Sequence, residues 1–599
     1  MEASVSERET DKRWLPLGSE IPKEFYCDQP YVVVTKDGSW LCVLTTGKGV
    51  EGEPGQHAVS TISRDQGKSW TPLTDIEPAD GPESSWVMPL VVPSGRIYAF
   101  YTYNGDNQRT VLDDGGQQIR RVDTLGQMAF KYSDDHGRSW SDRRYVVPIR
   151  GMEIDRRNPY RGSVQFFWGV GKPCIHENDV YIGLAKVGGF GVGFMTSSEG
   201  VFLKSNNLLH ESDPERIKWE TLPDGDRGIR APLGPIADEH NCVGMGDGSL
   251  YCTFRTIEGH NGAAYSRDGG HTWTEQDYAR YTPGGRAIKH PRAANFVRRF
   301  SNGHYLMWFH NHGRSWLDNP VEAYKNRNPA WICGGVERDG HIVWSQPEIV
   351  LYDDDLDTRI SYPDFIEDDG RYFITETQKT IARVHQVDNG LLEAVWSQHE
   401  RCEVAERGAK LSVRTTEGDV SGHDWPQRLP LGRGEGFALD LWLDVPDASA
   451  EPELLTTPIA DTRDPGGSGV VLTWEADRTV RLRMNDGRCE TSWSSDPGAL
   501  DAPGMHHLVV NVDAGPRVIV FIVDGQLLDG GTARQFGWGR LPASMSELRS
   551  SAQLRLGTPW QLRIAQLRLY DRYLTTTEAI GNYRAEVSVF AAAAGEAIR

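Results

Sequence analysis

The sequence predicts an almost purely β protein, a six-bladed β-propeller followed by a β-sandwich. Three observations predict this fold. Short apolar runs alternate with glycine-containing turns through most of the 599 residues, an eight-residue turn pattern occurs three times, and the repetition stops after Trp396. Short strands at regular spacing are typical of propellers and sandwiches. The length itself favours at least two domains, since one hydrophobic core seldom organises so long a chain.

The repeated turn has the pattern S-x-D-x-G-x-x-W. It occurs at Ser63–Trp70, Ser133–Trp140 and Ser266–Trp273. In such a turn the Asp carboxylate accepts backbone N–H bonds, the Gly adopts a positive φ, and the Trp packs back on the sheet. We interpret the three turns as structural staples that carry no chemistry.

Six units can be counted around these turns, each with a short run, a glycine turn and a returning run. They begin near Gln29, Met88, Lys172, Glu239, His290 and Tyr362. Six units of about four strands each predict a propeller, because radial closure protects the sheet edges. We expect this propeller over 26–400.

The remaining segments complete the predicted domain organisation. We expect residues 1–25 to form an N-terminal segment that packs on the propeller. Alternating strands such as Phe437–Leu443 and Val518–Val523 predict a β-sandwich of jelly-roll type over 405–590. The Ala-rich end, 591–599, is expected to be a frayed tail.

Composition excludes several classes of function. Lys and Arg total 64 against 84 Asp and Glu, a net charge of −20, which argues against nucleic acid and anionic membranes as partners. No apolar run approaches the roughly 20 residues that a spanning helix needs. The charged start, 1–14, does not resemble a secretory leader, and eight scattered cysteines without a CxxC pair suit a reducing compartment. We expect a cytoplasmic protein, with a periplasmic or secreted location left open.

The repeated turn is similar to the Asp box of the sialidase superfamily, and the chain over 26–400 resembles its six-bladed propellers. The strand at 567–574 resembles the close of laminin-G-like, concanavalin-type sandwiches. The first resemblance implies a glycoside hydrolase that acts on terminal sugars. In that family a Tyr attacks the anomeric carbon and a Glu takes its proton, and Tyr362 and Glu239 match these positions. The carboxylate is needed because a phenol of pKa about 10 is a poor nucleophile.

The same resemblance implies three arginines that bind the substrate carboxylate. Arg255 and Arg292 match two of them, but Asp28 stands where the first is expected. A carboxylate there repels an anionic sugar, which argues against sialic acid as the substrate. The loop at 47–57, which supplies an acid/base Asp in the family, contains none, so Glu53 or His57 is predicted to transfer the proton.

Further side chains are predicted to contact the sugar through hydrogen bonds, charge or ring stacking. They are Asp28, Gln29, Trp86, Lys172, His290, His310 and Glu376. A zinc site at His310 and His312, which share one strand face, is disfavoured against structural roles. No metal and no cofactor is predicted.

Two alternatives remain beside the hydrolase. A polysaccharide lyase would use a neutral His or a Tyr to remove the C5 proton of a uronic acid, with Lys172, Lys186 and Arg292 neutralising the uronate. A catalytically silent propeller would bind a glycan without cleaving it. All three have a carbohydrate as the partner, and a homo-oligomer is left open.

Overall fold

The computed structural model describes residues 11–121, 123–192, 194–315, 317–414, 422–447, 456–557 and 563–596. Over these residues the protein is nearly all-β, as the sequence predicts. The α-helices described are α1 (Glu153–Arg157), α2 (Asn389–Ser397) and α3 (Thr576–Glu596), with 3-10 turns at Leu15–Leu17, Pro214–Arg216 and Glu322–Tyr324. Among the described residues, no helix has the length and apolar character to cross a membrane.

The chain divides into two compact units. One comprises 15–344 and 349–392, and the other contains the described parts of 1–14, 345–348 and 393–599. The first unit covers most of the range predicted as a propeller. The second includes residues 11–14, although the sequence predicts that 1–25 packs on the propeller. It also continues as helix α3 to Glu596, beyond the start of the predicted tail at 591.

The first unit contains six antiparallel sheets in chain order, each of four or five strands. Strand β1 (Ser19–Glu20) joins the sixth sheet, where it pairs with β28. The first sheet comprises β2 (Tyr26–Val34), β3 (Trp40–Gly47), β4 (Gln56–Ser63) and β5 (Thr74–Asp75). The second comprises β6 (Ser84–Val91), β7 (Ile97–Tyr103), β10 (Gln127–Ser133) and β11 (Tyr145–Val146), with the small hairpin β8 (Val111–Leu112) and β9 (Gln118–Ile119) between β7 and β10. The third comprises β12 (Phe166–Gly169), β13 (Cys174–His176), β14 (Asp179–Gly191), β15 (Phe194–Ser205) and β16 (Glu220–Leu222).

The other three sheets repeat this order. Their strands are β17 (Asp238–Gly244), β18 (Leu250–Arg255), β19 (Gly262–Ser266) and β20 (Asp277–Tyr278); β21 (Phe296–Arg299), β22 (Tyr305–Phe309), β23 (Ala330–Arg338), β24 (His341–Trp344) and β25 (Glu348–Leu351); and β26 (Ser361–Asp368), β27 (Arg371–Thr377) and β28 (Ala382–Val387). The first strands of five sheets are largely or fully buried, polar residues included, and only the first half of β21 is buried. Such continuous burial is typical of a strand covered on both faces.

The three repeated turns have the internal geometry that their pattern predicts. In the first, the Ser69 N–H donates to Asp65 Oδ1 at 2.9 Å and the Ser63 hydroxyl donates to the same oxygen at 2.8 Å. Gly67 has φ +81°, a conformation that favours glycine. Bonds of 2.9 Å recur from the Ser139 N–H to Asp135 and from the Thr272 N–H to Asp268. In each turn the Asp carboxylate thus accepts a backbone hydrogen bond from within the same turn.

The second unit contains two larger antiparallel sheets that share one apolar core. The first sheet comprises β29 (Ala409–Arg414), β32 (Gly436–Val445), β37 (Gly504–Asp513), β38 (Val518–Val523), β39 (Gln526–Leu527), β40 (Trp538–Arg540) and β43 (Arg563–Tyr570). The second comprises β30 (His423–Asp424), β33 (Thr457–Asp461), β34 (Gly469–Trp474), β35 (Val480–Asn485), β36 (Glu490–Ser494) and β42 (Gln553–Leu556), and β31 (Arg428–Pro430) pairs with β41 (Glu547–Arg549).

Helix α3 packs against the first of these sheets through aromatic and polar contacts. The Phe590 ring stacks on Trp442 at 4.5 Å between centroids. The Asn582 amide donates to Asp440 Oδ2 at 2.7 Å, and His507 Nε2 lies 3.1 Å from the same oxygen. Asp440, His507 and Asn582 are fully buried, so this network holds the helix to the sheet.

Candidate active site

Four of the six sheets in the first unit carry the same β-bulge near the start of the first strand. In β2, β6, β17 and β26 the pairing shifts between Asp28 and Tyr31, Ser85 and Met88, Asp238 and Asn241, and Ser361 and Asp364. The bulged residues have positive φ: Gln29 (54°), Trp86 (62°), Glu239 (54°) and Tyr362 (47°). This conformation costs an L-residue about 1–3 kcal/mol and re-aims the side chain, which is common next to active sites.

Two bulged residues from different sheets are hydrogen bonded to each other. The Tyr362 hydroxyl donates to Glu239 Oε1 at 2.9 Å. Arg255 Nη1 lies 2.9 Å from the same oxygen, and its Nε and Nη2 donate to Asp238 at 2.6 and 3.1 Å. All four side chains are buried. The Arg255–Asp238 pair therefore fixes the carboxylate that faces the phenol.

Burial perturbs the protonation of this pair. Burial, followed by the neighbouring Glu239 carboxylate, raises the pKa of Tyr362 well above its ordinary value. Burial also raises the pKa of Glu239, against the opposing effect of Arg255. A phenol held neutral in this way attacks efficiently only if a base takes its proton during the attack. Glu239 is placed to do so.

Lys379 connects the Tyr362 ring to two further carboxylates. Its ammonium lies 4.4 Å from the centroid of the Tyr362 ring, and it contacts Asp28 Oδ2 at 2.5 Å and Glu51 Oε2 at 3.1 Å. Asp28 also accepts a bond from the Tyr26 hydroxyl at 2.9 Å. Burial raises the pKa of Asp28, and Lys379 opposes this shift. The positive charge of Lys379 thus compensates the negative charge of Asp28.

A third carboxylate, Asp123, lies beside Glu51. Arg121 Nε is 2.8 Å from Asp123 Oδ1, and Arg121 Nη2 is 3.5 Å from Glu51 Oε1. The Arg121 guanidinium also lies 4.0 Å from the centroid of the Phe194 ring, a cation–π distance. The indole N–H of Trp86 donates to the Asp123 carbonyl at 2.7 Å. We call Asp28, Glu51 and Asp123 the acidic cluster.

Two buried arginines lie near the Tyr362–Glu239 pair. Arg327 Nη1 donates to Ser361 Oγ at 2.8 Å, on the residue before Tyr362. The Arg292 guanidinium lies 5.0 Å from the centroid of the Tyr324 ring and interacts electrostatically with Arg255 and Glu239. Burial lowers the pKa of Arg327 to about 10 and lowers the pKa of Arg292. These guanidiniums provide positive charge next to the pair.

The structure does not join Glu53 or His57 to this site. Within the described residues, no hydrogen bond or ion pair links either side chain to Tyr362, Glu239 or Arg255. His57 Nδ1 lies 2.9 Å from the Glu77 carbonyl, and its Nε2 is 3.3 Å from Glu24. Glu51, two residues before Glu53, reaches Lys379, which lies over the Tyr362 ring.

Lys172 and Glu376 also have partners away from Tyr362. Lys172 Nζ lies 2.8 Å from Asp364 Oδ1 and lines a cavity of about 670 Å³ between the later parts of the first strands, including 32–34 and 241–244. Burial lowers its pKa to about 8. Glu376 is fully buried, 3.4 Å from His385 Nε2. Their predicted sugar contacts are not supported by these positions.

The predicted histidines are packed against each other. The His290 and His310 rings stack at 5.6 Å between centroids, and His290 Nε2 lies 2.8 Å from the Ala293 carbonyl. Burial lowers the pKa of His290 to about 3, so it stays neutral. Among the residues described, no group of His, Cys, Asp and Glu has an arrangement able to hold a metal ion.

Gln29 and Trp86 lie at the bulge level, as a contact with a ligand requires. The Gln29 side chain is fully buried, and neither polar atom of its amide has a hydrogen-bond partner within the described ranges. Trp86 is also buried, with its ring near Trp168 and its N–H bonded to Asp123. Trp86 therefore positions Asp123 more than it offers a free face for stacking.

The sequence prediction missed Glu51, Arg121, Asp123, Arg327 and Lys379. Glu51 carried a usable signal, since it lies in the loop at 47–57 that was expected to supply the acid/base residue. The other four lie in connections of the second, fifth and sixth sheets, between β9 and β10, β22 and β23, and β27 and β28. No local pattern marks these positions, so only the packing of the sheets reveals them.

The comparison with protein families supports the class that the Asp boxes indicate. Residues 83–374 match the BNR repeat-like domain, so this part of the chain fits the sialidase superfamily.

Solved structures with similar folds include Trypanosoma rangeli sialidase in complex with sialic acid, at 13% identity and TM-score 0.43 over 95% of this chain and 97% of that one. A protein of unknown function from Dyadobacter fermentans matches at 16% identity and TM-score 0.43, over 62% and 97%. The intramolecular trans-sialidase from Ruminococcus gnavus matches at 15% identity and TM-score 0.42, over 62% and 96%. The comparison with curated proteins finds no match. At these identities and TM-scores, the structural likeness assigns no activity.

Proposed function

We propose that this protein is a sialidase-like glycoside hydrolase that removes terminal sugars from a glycan. The observation that carries the proposal is the 2.9 Å hydrogen bond from the Tyr362 hydroxyl to Glu239, whose carboxylate is fixed by Arg255. Two strained bulges and a buried ion pair hold a phenol against a base. Strain and perturbed pKa values concentrate at functional sites.

The six sheets of the first unit are proposed to close into a six-bladed β-propeller. Two observations support closure. Strand β1, from the start of the unit, pairs with β28 of the sixth sheet. The first strands contact one another in sequence, and β2 of the first sheet also contacts β26 of the sixth. The Val32 N–H donates to Asp364 Oδ2 at 2.7 Å across this last junction. The four bulges would then face one axis.

In the proposed reaction the Tyr362 oxygen attacks the anomeric carbon of the terminal sugar. Its proton passes to Glu239 as the new C–O bond forms, and the glycosidic C–O bond breaks with its electron pair on the departing oxygen. The departing oxygen takes up a proton and leaves as an alcohol. Water then attacks the sugar–tyrosine intermediate and releases a proton that replaces the one taken up by the alcohol, while the phenol recovers its own proton from Glu239. Handing the proton to a held carboxylate contributes typically 10²- to 10⁴-fold in such steps.

The buried arginines and the acidic cluster are proposed to bind the sugar. Arg292 and Arg327 supply positive charge near Tyr362, while Lys379 compensates Asp28 and Glu51. Gln29, with both polar amide atoms unpartnered within the described ranges, suits a hydroxyl or amide of the substrate. Burying such a group without a partner costs about 1–3 kcal/mol, which a bound sugar would recover.

The experiment is a screen of aryl glycosides and polysaccharides with the full chain and with Tyr362→Phe, read by product mass. We expect hydrolysis of a glycoside by the wild type and loss of turnover by about 1,000-fold in the variant. Unchanged turnover in Tyr362→Phe would exclude the nucleophile. Products with an unsaturated uronic acid would identify a lyase, and glycan binding without any product would identify a silent propeller.

The second unit is proposed to have a structural role and not to bind glycan. The sequence compares it with laminin-G-like sandwiches. Its described residues form two sheets over one apolar core, and helix α3 covers part of the first sheet. Equal turnover by the full chain on long and short glycans agrees with a structural role. A marked preference for long glycans would instead indicate a binding surface.

A further inference from the structure

Asp123 and Glu51, two carboxylates of the acidic cluster, both lie near the Arg121 guanidinium, but they differ in distance to cations and in exposure. Asp123 is paired with Arg121 at 2.8 Å, whereas Glu51 lies 3.5 Å from Arg121 and 3.1 Å from Lys379. The Asp123 side chain is 1% exposed and the Glu51 side chain 32% exposed. Asp123 therefore has less compensating charge and less water than Glu51.

These differences decide which carboxylate carries a proton. Burial penalises the ionised form, and each neighbouring cation favours it. Burial, against the effect of Arg121 and helped by Glu51, raises the pKa of Asp123 to about 6. For Glu51, Lys379 and Arg121 outweigh burial and hold the pKa below its ordinary value. Two carboxyl groups whose environments separate their protonation states are the usual mark of an acid and its ionised neighbour.

The backbone places Asp123 at the level of the bulges. Its carbonyl accepts the indole N–H of Trp86, which is the bulged residue of the second sheet as Tyr362 is of the sixth. Asp123 also interacts electrostatically with Tyr26 and Lys379. Lys379 in turn lies over the Tyr362 ring. Asp123 thus interacts electrostatically with the lysine that lies over the Tyr362 ring.

We propose that Asp123 is the acid/base residue of this site, in place of any residue of the loop at 47–57. The proposal rests on the proposed function, because it names the proton donor for the hydrolysis begun by Tyr362. Arg121, clamped on the Phe194 ring, acts as its positioning residue. Glu51 stays ionised and keeps Lys379 and Arg121 in place.

The proton balance follows from these roles. As Tyr362 attacks, the Asp123 carboxyl gives its proton to the glycosidic oxygen, which leaves as an alcohol with the electron pair of the broken C–O bond. Asp123 is then a carboxylate beside Arg121. In the second step it takes a proton from the attacking water, and the C–O bond to Tyr362 breaks. Both residues return to their initial protonation states.

The charged and titratable groups found to act on Asp123 come from four segments. Arg121 lies on its own connection, Glu51 on the connection between β3 and β4, Lys379 on the connection between β27 and β28, and Tyr26 at the start of β2. Asp123 itself has a pKa of about 6. The rate should therefore fall as the pH rises through about 6, since the proton donor is then lost.

The leaving group of the substrate tests the proposal. On the aryl glycosides cleaved by the wild type, Asp123→Asn should lower kcat/KM about 100-fold or more for phenyl leaving groups and less than about tenfold for dinitrophenyl leaving groups, which need little protonation. Azide should restore turnover of the dinitrophenyl glycoside by replacing water in the second step. Equal losses for both leaving groups would overturn the proposal.

Two comparison variants separate Asp123 from its neighbours. Glu51→Gln should lower kcat/KM to a similar extent for the phenyl and the dinitrophenyl glycosides. Glu53→Gln tests the proton donor expected from the sequence. If kcat/KM depended on the leaving group in one of these two variants and not in Asp123→Asn, the residue changed in that variant would be the acid/base residue. A readout besides activity is the infrared difference spectrum between wild type and Asp123→Asn, in which the band of one protonated carboxyl should titrate near pH 6. A wild type that cleaves no glycoside, but retains this band, would refute the proposed function, whereas an absent band refutes the protonated Asp123.

Discussion

Tyr362 and Glu239, 123 residues apart in the chain, occupy the same bulge position in their strands and share a 2.9 Å hydrogen bond. Each has the positive φ that the bulge imposes, and each side chain is buried. The same bulge in β2 and β6 presents Gln29 and Trp86. The same β-bulge, present in four sheets, thus positions the residues at the centre of the candidate site.

The first prediction concerns the coupling of this pair. Tyr362→Phe and Glu239→Gln should each lower kcat by about 1,000-fold, and the double variant should lose little more, because the two groups act in one proton transfer. Steady-state kinetics on the cleaved glycoside, with the wild type, both single variants and the double variant, measures this coupling. Tyr251→Phe, which changes another buried tyrosine of the same unit, is the matched control and should stay within about twofold. Additive losses in the double variant would contradict a shared step.

The second prediction concerns Lys379, which compensates Asp28 and Glu51. Lys379→Met should destabilise the protein by about 3–5 kcal/mol near neutral pH, because it leaves the buried Asp28 carboxylate without its cation. Urea unfolding measures the change. Lys48→Met alters an exposed lysine and should change stability by less than about 0.5 kcal/mol.

This loss should depend on pH in a definite direction. Without Lys379 the folded-state pKa of Asp28 lies above its unfolded value, since burial already raises it. The destabilisation should therefore be small below pH about 4 and grow as the pH rises towards the folded-state pKa. A loss of stability that is independent of pH would show that packing, and not charge, is the role of Lys379.

The third prediction concerns the Asp-box turns. Hydrogen bonds from the Ser69 and Ser63 side chains and the Ser69 backbone lower the pKa of Asp65 to about 2. Asp65→Ala should cost about 1–2 kcal/mol of unfolding free energy through the lost turn bonds. The contribution should be present above pH about 4 and disappear as the pH falls towards 2. Asp106→Asn, in an exposed connection, is the control, and an equal loss there would remove the special role of the turn.

The fourth prediction concerns the buried network of the second unit. Burial opposes ionisation of Asp440, but His507 and Arg568 outweigh it and hold its pKa below the ordinary value. Asp440→Asn should destabilise this unit by about 3 kcal/mol, and the contribution should fall as the pH drops below the unfolded pKa of about 4.

Urea unfolding followed by tryptophan emission measures this change, and Trp442, whose indole donates to Glu586 of α3 at 3.0 Å, is one of the emitting residues of this unit. Asp444→Asn, in the same strand but with a side chain 37% exposed, should change stability by less than about 0.5 kcal/mol. Similar losses in both variants would show that the network contributes no more than a surface charge.

Part of the candidate site could be predicted from the sequence. The resemblance to sialidases implied Tyr362, Glu239 and Arg255 as site residues, and the structure brings these three together. The sequence predicts Glu53 or His57 as the proton donor from the loop at 47–57, but the side chain of this loop that reaches Lys379 is Glu51. A one-dimensional pattern does not fix which of two neighbouring side chains faces the site.

The sequence by itself determined the β character and the repeated turns, because these depend on local periodicity and on residue types at fixed spacing. The candidate nucleophile was implied by the resemblance to sialidases. Only the tertiary structure decided which charges meet. Lys379 with Asp28 and Arg121 with Asp123 are contacts whose strength depends on distance and burial. Coulomb energy and desolvation are set by positions in space, so residues far apart along the chain acquire their chemistry only when the sheets pack together.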